Sequence, residues 1–313
     1  MKKTIYAAAI AMSLLTTGCN DFLKDPKPQG VLDQEQVSNP EYVENLVISA
    51  YAGWISIEDI NSSFSMWNYD VRSDDAYKGG NGTEDGDVFH ALEISQGIMT
   101  TNWNISDMWN RLYQVISRAN TALAVLEQMD EYPLRDQRIG EMRFLRAYGH
   151  FLLKRLYKNI PFAIDATMSP EDYNNLENTL YSNDQGWQII IDDFKFAFDT
   201  LPEIQDEIGR PNRAAAAAFM AKTYLYKAYR QDDPMSNQVT SIDREDLLNV
   251  IKYTDPSIMA ASACALAPDF HNNFRPEPIF ENGPESIWAM QYSFNDGTNH
   301  GNCNWSYGLI VPN

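Results

Sequence analysis

Long stretches with apolar residues three or four apart alternate along the chain with stretches that have no period, and the first such contrast stands at the N-terminus. After Lys2 and Lys3 an apolar run extends from Ile5 to Leu15, breaks off at Gly18-Cys19 and turns polar in NDFLKDPKPQGVLDQ. The run is too short for a bilayer crossing of about 20 residues and suits a secretory signal. A helix is predicted from Asn39, with Pro40 in its first turn, Tyr42, Leu46, Ser49, Ala50 and Gly53 at helical spacing, and an end at Asn61 to Ser63. Residues 61 to 105 show no clear period and are dense in Gly, Asp and Asn, as in FSMWNYDVRSDDAYKGGNGTEDGDVFH. A loop of that length inside a compact domain is usually functional.

Capping residues at Asn104 to Asp107 precede Trp109, Leu112, Tyr113, Ile116, Ala119, Leu123 and Leu126, one apolar helix face that ends at Tyr132-Pro133. The next helix, LRDQRIGEMRFLRAYGHFLLKRLYKNIPF, carries Met142, Leu145, Gly149, Leu152 and Leu156, and Gly149 admits a close neighbour. A Pro-containing connector spans Ile160 to Tyr181. A second helical pair follows, with a stripe of Trp187, Ile190, Ile191, Phe194, Phe198 and Leu201, then RAAAAAFMAKTYLYKAYR capped by Asn212. Ala214 to Ala218 combine high helix propensity with little bulk, as suits a helix clamped between others. Ala147-x3-Phe151 and Ala215-x3-Phe219 match a tetratricopeptide fragment, each on the second helix of a hairpin, which points to an all-α, repeat-like architecture. One more helix is predicted from Ser241, and SIWAMQYS at 286 to 293 alternates like a short strand.

Composition narrows the function. The 313 residues carry 24 Lys+Arg against 43 Asp+Glu, a net charge of −19, which opposes nucleic-acid binding. Gly18 before Cys19, with Leu15, Thr16 and Thr17 ahead, resembles a bacterial lipobox. Cys19 would then be the acylated N-terminus of the mature protein, residues 1–18 its signal peptide and 19–38 a tether, and two or more acyl chains anchor stably. The competing reading is an ordinary signal peptide with an incidental cysteine. Cys264 and Cys303 remain, without CxxC or zinc spacing, either as a disulfide or as two buried thiols. No metal site or cofactor is expected.

The lipobox, MWNRLYQVISRAN at 108 to 120, MRFLRAYGHFLLKRLYKNIPF at 142 to 162, LPEIQDEIGRPNRAAAAAFMAKTYLYKA at 201 to 228 and ENGPESIWAMQYS at 281 to 293 together resemble the SusD/RagB family of surface glycan-binding lipoproteins from Bacteroidetes. The resemblance implies tetratricopeptide-like helical hairpins over residues 39–313, with a loop-rich binding face and little β structure. It implies an oligosaccharide or polysaccharide as ligand and a SusC-like TonB-dependent transporter as partner. It also implies a lipid-anchored place in the outer membrane, facing the cell exterior. Family members usually continue past LIVPN into a helix with an R-x-A-E-like motif, so the chain reads as C-terminally truncated.

Catalysis has weaker support. Asp74-Asp75, Asp85/Asp87 and Asp192-Asp193 are the carboxylate pairs a glycosidase would need, but such pairs arise by chance among 43 acids. There is no G-x-S-x-G, H-E-x-x-H, P-loop or dinucleotide fingerprint. NGTEDGD at 81 to 87 lacks the EF-hand spacing and reads as a solvated turn. His150 reads as a packed helix residue, and the basic residues from Arg135 to Lys158 as ion-pairing partners. A sugar wants flat aromatic rings beside amides, carboxylates or Arg. Two regions supply that mixture: Trp67, Asp70, Arg72, Asp75, Tyr77, Trp103 and Asn104, and Tyr292, Asn295, Asp296 and Trp305. Trp103 with Asn104, expected in the loop before the WNRLY helix, leads the set, whereas Trp109, Trp187 and Trp288 read as packing. A non-enzymatic glycan-capture lipoprotein is therefore expected. The rivals are a repeat-type protein-interaction scaffold and, behind it, a glycoside hydrolase.

Overall fold

The computed structural model describes residues 39–55, 71–73, 75, 77–85 and 87–291. Internal contacts divide the chain into residues 1–42 and 43–313, and the helical fold belongs to the second unit. Helix α1 (Pro40–Ile55) buries Val43, Val47, Ala50 and Trp54. Of the predicted stripe Ala50 and Gly53 are buried and Tyr42, Leu46 and Ser49 half-buried, so most of the inward face lies one residue round from the predicted one. The predicted end at Asn61 to Ser63 lies outside the described residues. Inside the stretch predicted to have no period, α2 (Asp87–Glu93) buries Val88 and Leu92; two turns are too short to display a period.

Helix α3 (Trp103–Leu126) starts before its predicted cap. Asn102 takes the extended N-cap conformation and its carbonyl accepts the Ile105 and Ser106 N–H groups. Trp103 and Asn104, predicted in a loop, are therefore the first two residues of α3. Helix α4 (Arg135–Tyr157) runs antiparallel to it: Tyr157 O–H donates to Ile105 C=O near one end (2.6 Å) and Arg135 Nε to Leu126 C=O near the other (3.0 Å). Between them Gly149 permits contact, because a Cβ there would lie 2.7 Å from Ile116 Cγ1.

The connector holds the short α5 (Pro170–Asn174), opened by a Ser169/Asp172 capping box that the sequence reading missed. Helices α6 (Asn183–Thr200) and α7 (Arg213–Ala228) form the second hairpin, with Ala214 to Ala217 buried and Asn212 Oδ1 accepting the Ala215 N–H as expected. The predicted helix at Ser241 begins later. Ser241–Ile242 is a two-residue strand, β2, paired antiparallel with β1 (Tyr229–Arg230), and Asp243 caps α8 (Arg244–Tyr253). A short α9 (Pro256–Ala261) and two 3-10 turns follow. Successive helices α3, α4, α6, α7 and α8 each pack on the next, the tetratricopeptide-like arrangement expected.

The predicted strand at 286 to 293 is absent from its described part, residues 286–291, which pairs with no strand among the described residues. Trp288 instead inserts among Phe144, Tyr148 and Phe219, and its indole N–H donates to Gly209 C=O (2.8 Å). Gly209 has φ +92, and a Cβ there would lie 2.6 Å from Gln291 Cγ. The packing expected for Trp288 holds, without the ladder.

Helix α4 is buried almost all round, and its buried residues include Arg138, Glu141, Arg146, His150 and Lys154. Arg146 binds both oxygens of Asp193 on α6 (2.7 and 2.7 Å), Asn120 Oδ1 on α3 (2.9 Å) and Ile164 C=O (2.8 Å). Asn120 in turn donates to Ala163 C=O (2.9 Å), whose N–H donates to His150 Nε2 (3.2 Å). Three helices and the connector thus share one satisfied polar cluster.

Replacing one member of a buried ion pair leaves the other charge uncompensated, so Arg146→Ala should cost about 3–5 kcal/mol in urea unfolding. The double variant Arg146→Met/Asp193→Leu should recover most of that loss. Burial, then the Arg146 charge, pushes His150 down to about 3 from 6.5. The unfolded chain therefore binds the extra proton first, and stability should fall as pH drops through that window. In acid titration of the unfolding midpoint, His150→Gln should show a shallower decline.

Candidate functional site

The residues predicted to bind ligand divide sharply by position. Cys19, Trp67, Asp70, Tyr292, Asn295, Asp296 and Trp305 lie outside the described residues. Arg72, Asp75 and Tyr77 are exposed, Tyr77 by 86%, just after the buried anchor Val71. Ser73 O–H donates to Asp75 (3.1 Å). The following turn closes on itself: Lys78 donates to Gly82 C=O and Asp85 Oδ2 accepts the Asn81 N–H (3.1 Å). Among the described residues no group of three or more His, Cys, Asp or Glu converges to hold a metal ion. Trp103 and Asn104 take the first two positions of α3.

A cleft of about 480 Å³ opens between α3 and the α4–α6 connector. Trp109, Asn110, Tyr113, Gln114 and Ser117 form the helical wall, with Pro161, Tyr173, Asn174 and Leu176 opposite. Tyr113 O–H donates to Pro161 C=O (2.6 Å), and burial pushes its pKa up. The Tyr173 hydroxyl accepts from Asn120 Nδ2 (2.8 Å). Trp109, read from sequence as a packing residue, does pack on Tyr113 and Tyr157 but also lines this cleft. Sequence reasoning missed Asn110, Gln114, Tyr173 and Asn174. The one available signal was the recurrence of aromatic and amide residues at i, i+1, i+4 and i+5 from Trp109.

A second cleft, of about 280 Å³, lies between residues 204–212 and 282–291. Arg210 on its wall leads inward to a buried charge network. The fully buried Glu141 accepts from Tyr51 O–H (2.9 Å), Arg138 Nη1 (2.7 Å) and Arg210 Nη1 (2.7 Å). Arg138 Nε also donates to Glu44 (2.7 Å), which takes the Tyr132 hydroxyl as well. Burial pushes Glu44 upward, but the bonds from Arg138 and Tyr132 and the guanidinium charges outweigh it and hold its carboxyl below the usual range. A glycosidase acid needs the opposite environment, one that raises its pKa.

The other acid pairs have no better claim. Asp193 is held by Arg146, and Asp192 accepts from Gln188 Nε2 (2.8 Å). His150 is packed as expected; of the basic residues of α4, Arg138 and Arg146 pair with acids inside the fold, Arg135 pairs with Asp136 at the surface, and Lys154 binds Asn183 Oδ1 and Lys158 C=O. Cys264 is a half-buried free thiol whose pKa burial raises, while Cys303 lies outside the described residues. No helix among the described residues is long and apolar enough to cross a membrane.

Residues 21–225 match a SusD-like family described as starch-binding and associating with the outer membrane. SusD-like protein P2 of Formosa agariphila is 25% identical over 228 residues, 72% of this chain and 43% of the relative. A SusD-like carbohydrate-binding protein from Bacteroides fragilis superposes with a TM-score of 0.64 at 23% identity, over 82% of this chain and 47% of that one. Surface glycan-binding protein A from Bacteroides thetaiotaomicron, solved in complex with laminarihexaose, gives 0.63 at 18% identity, over 81% and 49%. The chain thus spans about half the length of these proteins. The family match covers most of the helical core, from the N-terminal arm through the two hairpins, and the chain belongs to the SusD-like family.

Proposed function

We propose that this chain is a non-enzymatic, surface-exposed lipoprotein of the outer membrane that captures oligosaccharides. In this reading Cys19 carries the lipid anchor, and residues 19–38 tether the helical unit above the membrane. The cargo passes to a SusC-like TonB-dependent transporter. The binding face combines Trp67, Asp70, Arg72, Asp75, Tyr77, Trp103 and Asn104 with Tyr292, Asn295, Asp296 and Trp305.

The observation that carries the reading is how the fold disposes of its charges. Glu44, Glu141, Asp193 and Asp246 are each engaged by guanidinium or ammonium groups inside the fold. Aromatic rings and amides line the cleft beside α3, and Tyr77 stands in solvent. That division suits recognition of a neutral, hydroxyl-rich ligand, and the bonds that hold the Glu44 carboxyl below its usual range are the opposite of what a hydrolytic acid needs. The family's starch-binding description and the laminarihexaose complex of a structural neighbour point the same way.

Isothermal titration of the full chain in detergent against malto-, laminari-, xylo- and cello-hexaose should find at least one ligand. Trp103→Ala should then weaken it by more than about 1 kcal/mol, the loss expected of a binding hot spot. Undiminished binding by that variant removes Trp103 from the site. Release of reducing sugar by the wild-type chain would replace capture with hydrolysis.

A further inference from the structure

The cleft between α3 and the connector is built for a class of ligand that its lining identifies. Its two tyrosine hydroxyls are already engaged, Tyr113 with Pro161 C=O and Tyr173 with Asn120 Nδ2, so both rings are fixed in place. Trp109 is held against Tyr113 (ring centroids 5.0 Å apart) and edge-on to Tyr157 (4.9 Å). Rings fixed before binding lose little conformational freedom when a ligand arrives. Around them Asn110, Gln114 and Ser117 on the helical wall and Asn174 opposite supply donors and acceptors.

None of the nine lining residues carries a charge at neutral pH, although the chain is 21% charged with a net charge of −19. The nearby Arg111 is paired with Asp107 (3.4 Å). An anionic ligand would find no counter-charge in the cleft, a cation no carboxylate, and a purely apolar segment would bury unpaired amides. A neutral pyranoside satisfies the lining on both counts: its C–H face covers the rings and its hydroxyls meet the amides. The volume of about 480 Å³ falls in the usual range of small-ligand pockets.

Position on the helix extends this. Residues 103 and 110 of α3 are seven apart, which returns the chain to nearly the same helix face about 10 Å further along the axis. We infer that the cleft walled by Trp109, Tyr113 and Tyr173 is a further subsite for neutral sugar residues, continuing along α3 the face that begins at Trp103. This rests on the glycan-capture reading and adds to it that the cargo is an uncharged oligosaccharide, long enough to reach from one position to the other.

The test is titration of the full chain in detergent with malto-, laminari-, xylo- and cello-hexaose and the corresponding disaccharides. Asn110 and Asn174 are exposed, so Asn110→Ala/Asn174→Ala should keep the wild-type melting temperature while weakening the best hexasaccharide about tenfold or more. The matching disaccharide, too short to reach from Trp103 to the cleft, should change by less than about twofold. Trp109→Ala should repeat the pattern, whereas Trp103→Ala should weaken both lengths. Unchanged hexasaccharide affinity in both cleft variants overturns this subsite and leaves glycan capture standing. Equal loss for both lengths also overturns the extended site. Absence of binding by the wild-type chain to every sugar overturns the subsite and the capture reading together.

Discussion

The buried guanidinium of Arg146 is the constraint on which the two hairpins depend. Its forked donors match both oxygens of Asp193 on α6, Asn120 on α3 and Ile164 in the connector, so one side chain sets the distance among three parts of the chain. An ion pair excluded from water is stabilising only when its remaining donors and lone pairs are also matched, and here the matching partners come from separate elements. Asn120 and His150 extend the cluster by holding the two sides of the Ala163 peptide. The connector wall of the α3 cleft, and with it Tyr173, is positioned by the same polar cluster that joins the hairpins.

The second network, around Glu141, plays a comparable part at the other end of α4. Arg138 and Arg210 close on the carboxylate from two directions, and through Glu44 and Tyr51 the network joins α1 to α4 and to the loop before α7. An acidic chain would be expected to destabilise itself by repulsion, yet these acids are the ones that organise the core. Carboxylates fixed between cations are poor general acids, and the cleft beside α3 is left to rings and amides.

Much of this was legible in the residues. The apolar stripes located α3, α4, α6 and α7, the two A-x3-F fragments indicated their repeat-like stacking, and Gly149 announced a close helix contact that Ile116 makes. The less regular regions read poorly for physical reasons. Two-turn helices such as α2 and α5 show no period, and the alternation through Trp288 looks strand-like although a strand exists only where another chain segment pairs with it. Of the candidate site, the sequence could point to ring-rich loops and to Trp103 with Asn104, but it assigned Trp109 to packing alone.

The sequence by itself determined the long helices α3, α4, α6 and α7 and, to within a residue, the inward face of α1, and its motifs resembled the family to which the chain belongs. The helices follow from local spacing, which acts between neighbours along the chain. Only the tertiary structure decided which of the many acids and bases pair, and that Tyr173 and Asn174 stand opposite Trp109 and Asn110. Those relations join residues about fifty to ninety positions apart, and no period or motif encodes a distance that folding alone brings down to a few ångströms.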